Sequence, residues 1–276
     1  MLIDQNLSNF SDIAVQTAFV IYAIALFLSL AYYGRMQSVI DARRAAAADR
    51  AQSKQKVAAG GSPYAPGEDD AALADAAVAD TTPVKDPSVL EEKADKLGGM
   101  TQMLLWLGIV LHVVAIVLRG LATHRFPFGN LYEYVLMVTA GVLIVSNIAM
   151  QRKEWRTMWP WILTPILALM FYGSTKLYAE SAPVVPALQS HWLPIHVTVV
   201  SLGASISVVS GIASLLTMLR VWQPKGAERS FAGVVAKPLP SAKKLDQLAY
   251  RLGIIALPTL GLGIVLGAIW AESAWG

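Results

Sequence analysis

Four histidines and no cysteine, in 276 residues, limit the metal and nucleophile chemistry this chain can carry. Two of them, His191 and His196, flank Trp192 in the stretch "VPALQSHWLPIHV", residues 185–197. Neutral imidazole offers a nitrogen lone pair, which makes histidine the usual protein ligand for a metal ion or a haem iron. The two are five residues apart, about 140° around a helix of 3.6 residues per turn, so they do not share a face and do not hold one ion together. Pro194 favours a helix start near residue 193, which puts His196 in the first turn and His191 in the loop before it. On the residues alone, two readings of His196 stand. It could point into a pocket just beneath a membrane surface as an axial iron ligand, or hydrogen-bond at the headgroup boundary. His191 reads as a solvated loop residue, and His124, beside Arg125, as a headgroup contact. His112 sits within an apolar run and must face protein or a cofactor rather than lipid. Both a buried hydrogen bond and a cofactor role are open for it. No catalytic residue is expected.

The elements that position these residues follow from composition. Hydrophobic residues make up 55% of the chain, charged residues 15%, and the mean hydropathy is +0.50. A soluble domain carries about a quarter charged residues. Apolar runs of about 20 residues mark transmembrane helices. Six are read here, at 13–33, 100–121, 131–150, 157–175, 193–219 and 252–270. The expected fold is therefore all-α, a polytopic transmembrane helical bundle of six spans. The first run lacks a basic leader, and "LAYYGRMQ" after it is a poor cleavage site, so it is expected to stay as a helix with Tyr32 and Tyr33 at an interface. Three regions follow: residues 1–33, an outer N-terminus and first helix; 34–99, an Ala-rich cytoplasmic linker; and 100–276, a five-helix membrane domain. Within the linker, residues 42–82 mix Ala with Asp, Gly and Pro and have little apolar surface to bury, which predicts disorder.

Charge gives the orientation. Of 22 Lys and Arg, nine lie in 34–99, three in 151–156 and seven in 220–251. Lys and Arg accumulate in cytoplasmic loops. The N-terminus, with two acids and no base, is then outside, and the six spans alternate without conflict. That places "ATHRFPFGNLYE" (122–133), the 176–196 segment and "WAESAWG" (270–276) together on the outer face. The functional face is thus extracytoplasmic, on a multi-pass protein of the plasma membrane; the lipid bilayer is its solvent, and no nucleic-acid partner is expected.

Small residues recur at helical spacing, with Gly203, Ser207 and Gly211 in one run and Gly263 and Gly267 in another. They let helix backbones approach closely in lipid. Pro258 predicts a kink. Trp192, Trp270 and Trp275 gather on the outer face. An aromatic belt accounts for such residues ordinarily, but two tryptophans flanking the short acidic turn of "WAESAW" exceed what a belt requires, and an indole stacks well on a flat porphyrin. Apart from Arg119 at a boundary, no span carries a mid-membrane charge, so the relays of pumps and many transporters are missing. A haem-b electron-transfer subunit expects paired histidines at matching depths, and only His112 lies within a span.

Taken together, in order and on one face, "HRFPFGNLYEY" (124–134), "VPALQSHWLPIHV" (185–197) and "GAIWAESAWG" (267–276) resemble the CcsA/ResC family, called CcsB in some bacteria. These are haem-handling membrane proteins of System II cytochrome c biogenesis. The resemblance covers most of 100–276. It implies that haem b is bound at the outer face, on a tryptophan-rich "WWD" segment flanked by two outer histidines. It also implies presentation of that haem to apocytochrome c for thioether attachment, in a cytochrome c synthase complex with a ResB-type protein. His196 stands where the family has its first outer iron ligand. Trp275 and Gly276 match the opening of the tryptophan-rich segment, and Asn130 and Glu133 match the "FPxxNLYE" element. In the family the segment continues into further helices bearing a second outer histidine, whereas this sequence ends at Gly276; the expectation is a C-terminally incomplete haem-handling domain.

Overall fold

The computed structural model describes residues 4–59, 87–180, 182 and 186–275. Every long element is a helix, as the apolar runs require. We number them α1 (Gln5–Ala59), α2 (Pro87–Thr123), α3 (Leu131–Ala149), α4 (Trp159–Tyr172), α5 (Trp192–Trp222), α6 (Ser230–Ala236) and α7 (Ala242–Trp275). Two intimate pairs, α1 with α2 and α5 with α7, flank α3 and α4, which carry much of the buried core.

Among the described residues five helices are long and apolar enough to cross a membrane: α1, α2, α3, α5 and α7. The run at 157–175 is divided into a 3₁₀ turn over Lys153–Met158, the 14-residue α4, and a π turn over Gly173–Leu177. At 1.5 Å per residue α4 alone is about 21 Å long, short of the ~30 Å hydrocarbon layer. Pro160 stands at the start, and Pro165 removes an interior hydrogen bond that neighbouring helices must compensate. The segment still joins the two ends of the bundle. Lys153 pairs with Asp95 at one end, and Tyr178 donates to Asp12 at the other.

The linker also differs from expectation. Residues 34–59 continue α1 and residues 87–99 begin α2, so both flanks are helical; residues 60–86 lie outside the described residues. The reason is local. "DARRAAAADRAQSKQKVAA" is made of strong helix formers, and no glycine or proline interrupts it before Gly60. Pro87 opens α2 as a first-turn residue, where a missing N–H costs nothing. At 55 residues α1 is about 80 Å long, more than twice the hydrocarbon thickness, so its second half projects beyond the apolar layer.

Charge separates by end. Arg43–Glu91, Lys153–Asp95, Lys237–Asp41 and Lys244–Glu154 tie the basic end. There Glu228 is held by both Arg44 (3.0 Å) and Arg220 (3.2 Å), which docks the loop before α6 on the α1 extension. The other end holds the N-terminus of α1, the α2–α3 turn, residues 186–192 and the end of α7.

Small residues set the helix spacing as expected. A Cβ on Gly203 would meet Leu260 at 2.9 Å, and one on Gly263 would meet Val200 at 2.6 Å. Close packing of α5 on α7 depends on both.

Candidate functional site

The less basic end brings His196, Trp270 and Trp275 together. α5 begins at Trp192, one residue earlier than Pro194 suggested, with His191 as its N-cap. His196 therefore lies in the second turn rather than the first. Its ring rests on α7: Nδ1 is 2.8 Å from the Gly263 carbonyl oxygen. A carbonyl only accepts, so Nδ1 carries the proton and a neutral ring leaves Nε2 with its lone pair free. The contact exists because Gly267 has no side chain. A Cβ there would stand 2.6 Å from the imidazole Cε1.

One turn beyond Gly267, Trp270 lies nearly parallel to the His196 ring, with centroids 6.0 Å apart and planes 4° apart. Trp275 meets Trp270 edge-on at 5.1 Å and is 70% exposed. Trp192 is exposed at the start of α5. Ser190 and Ser273 hydrogen-bond at 3.0 Å, pinning the segment before α5 to the end of α7. Sequence reasoning missed this clasp, which only the helix pairing could reveal. Gly276 lies outside the described residues.

The donor set decides what metal chemistry this end can support. Among the described residues no group of three or more His, Cys, Asp or Glu could hold a bare ion. A single imidazole with a free Nε2 suits a metal that brings its own in-plane ligands, as haem does, and the indoles beside it suit a flat aromatic macrocycle. The residues present fit haem.

Asn130 and Glu133 are placed elsewhere on the same end. Asn130 caps α3, its side-chain oxygen accepting from the Glu133 N–H at 2.8 Å. Glu133 is buried and accepts from Arg119 Nε (3.1 Å), from both Arg125 terminal nitrogens (3.0 and 3.2 Å) and from the Gly129 N–H (2.6 Å). Arg119, 1% exposed, also donates to Asp12 of α1 and to the Ala179 carbonyl, and lies 4.9 Å over the Tyr132 ring. Two cations and two anions thus bind α1, α2, α3 and the 178–182 segment into one rigid end. Of these, sequence reasoning singled out Arg119 as a charge at a span boundary and Glu133 through the family resemblance, without pairing the two. The signal was available in Asp12 and Glu133, acids at the matching ends of neighbouring runs.

A cavity of ≈ 380 Å³ separates the two groups. It is lined by Arg125, Phe126 and Phe128 on one side and by His191, Leu193 and Ile195 on the other. His191 faces this cavity, so the two histidines of the opening motif are divided, as their five-residue spacing required. His124 occupies the turn after α2 with a positive φ of 52°. His112 stands apart, fully buried among α1, α2 and α3.

Among the described residues, five long apolar helices define a multi-pass membrane protein with a histidine–tryptophan cluster at one end. The family described as cytochrome C assembly protein matches residues 97–276, and the chain belongs to that family. Similar proteins include the cytochrome c biogenesis protein CcsA of Guillardia theta, 31% identical over 174 residues, covering 57% of this chain and 58% of that one. The CcsA of Chlamydomonas reinhardtii is 29% identical over 183 residues, 60% of this chain and 47% of that protein. A CcsA of Prochlorococcus marinus is 28% identical over 214 residues, 70% of this chain and 67% of that one. The chain spans about half the length of the first two of these relatives.

Proposed function

We propose that this chain acts in cytochrome c biogenesis by holding haem b at the extracytoplasmic end of the α5–α7 pair. The observation that carries the reading is the hydrogen bond from His196 Nδ1 to Gly263, which fixes the tautomer whose Nε2 can ligate iron, beside a parallel Trp270. His196 is the axial ligand in this reading. Trp275, tilted by 63° from Trp270, offers the stacking face, Trp270 supports the imidazole, and Trp192 stands at the rim. Bound haem supplies the group to which the thiols of apocytochrome c are joined as thioethers. The chain's own residues orient the ligand and restrict water at its buried edge. Asn130 and Glu133 act on the site from a distance, by holding the wall of the cavity that adjoins α5. A ResB-type membrane protein is the proposed partner, and the positive-inside bias puts the basic end in the cytoplasm.

The test is haem retention by the purified full chain, read as absorbance at matched protein concentration. His196→Ala should lose most bound haem and regain part with added imidazole, whereas His191→Ala should change little. Equal behaviour of the two variants would overturn the assignment.

A further inference from the structure

His112 and Tyr22 form an interior feature that neither the ion clusters nor the haem reading uses. Both are fully buried, and their rings lie 6.0 Å apart, tilted by 56°. The Tyr22 hydroxyl and both His112 ring nitrogens make no hydrogen bond of acceptable geometry among the described residues, although the Leu136 backbone bears on the imidazole. The approach is enforced by a neighbour. Gly108 lies one helical turn below His112, and a Cβ there would come within 2.5 Å of the Tyr22 ring. A glycine has thus brought a phenol against a histidine in a region where lipid offers no partner. A buried polar group left unpaired is costly, and here a hydroxyl and an imidazole meet in one place.

We propose that Tyr22 and His112 share a tightly held water molecule, and that this hydrated pair seats α1 on the rest of the bundle. Water is the class of ligand that fits. It donates and accepts at once, and in buried sites it satisfies two to four polar partners. Tyr22 belongs to α1, which precedes the family-matched residues 97–276, whereas His112 lies within them. The seat therefore joins a helix outside the family match to the family domain. It acts independently of haem.

The experiment is radiolytic hydroxyl labelling of the full chain in lipid nanodiscs, read by peptide mass spectrometry. Radicals formed from a bound water modify its neighbours whatever their surface exposure. Tyr22 should be modified several-fold faster than Tyr33, whose hydroxyl donates directly to the Val235 carbonyl. In His112→Leu the Tyr22 rate should fall to that of Tyr33. If His112→Leu does not accumulate, Tyr22→Phe serves instead, with oxidation of His112 expected to fall. A Tyr22 rate no higher than that of Tyr33, or one unchanged by His112→Leu, would overturn the proposal. So would loss of haem absorbance in His112→Leu, which would make His112 an iron ligand instead.

Discussion

The imidazole of His196 on α5 donates its Nδ1–H to the Gly263 carbonyl of α7 at 2.8 Å, about two turns below a parallel Trp270. A helix carbonyl has a second lone pair, so it accepts this bond without losing its own ladder partner. Two glycines on α7 make room for it. Gly263 admits Val200 and Gly267 admits the imidazole. The placement of the His196 ring is thus a product of helix packing rather than of a loop.

Gly267→Ala follows from that packing. Its Cβ would meet the His196 ring at 2.6 Å, so ring or helix must shift. Overpacking of this kind costs about 1–3 kcal/mol. We expect weaker haem retention with the protein still folded, although no ligand is removed. Haem titration of the purified variant checks it; unchanged retention would show that the ring is not held by this contact.

Glu133→Ala should be far more damaging than an exposed substitution. It strands Arg119, 1% exposed, and Arg125 beside it. Breaking a buried pair by removing one partner costs about 3–5 kcal/mol. The expected outcome is a large drop in melting temperature in detergent, shared by Arg119→Ala. The double variant should lose less than the sum of the two singles.

Much of this arrangement was legible beforehand, and the exceptions have physical causes. Apolar run length marked where the chain is helical in lipid, and the small residues of the α5–α7 pair were legible as packing. The second half of α1 was missed because alanine-rich sequence with scattered charge reads as low complexity, yet its residues are strong helix formers. The separation of His191 from His196 followed from a five-residue spacing. The Arg119–Glu133–Asp12 cluster was half legible: its acids stand at matching ends of neighbouring runs, but its members come from three helices whose pairing no local pattern encodes.

Glu228 should make stability depend on acid. Burial alone would raise its carboxyl, but the Arg44 hydrogen bond and the backbone N–H of Gly226 outweigh this and bring it down to about 2. A carboxyl depressed in the folded state adds stability above its ordinary value of about 4.3, lost as pH falls toward the folded value. The melting temperature should therefore fall from about pH 4 to about pH 2 more steeply than in Glu228→Gln, which should itself be less stable at neutral pH. Parallel curves would contradict the account.

Topology is checked with cysteines at Ser53 and Ser190 in an otherwise cysteine-free chain. A membrane-impermeant maleimide added to intact cells should label position 190 and leave position 53 unlabelled. The reverse pattern would invert the orientation and move the histidine–tryptophan end into the cytoplasm.

The most direct measurement is the absorbance spectrum of the full chain, purified from haem-replete cells, compared with His196→Ala under the same conditions. The account predicts a Soret band in the parent protein that largely disappears in the variant and partly returns with exogenous imidazole, because imidazole can enter where the His196 ring was. A Soret band of unchanged height and position in His196→Ala would contradict it.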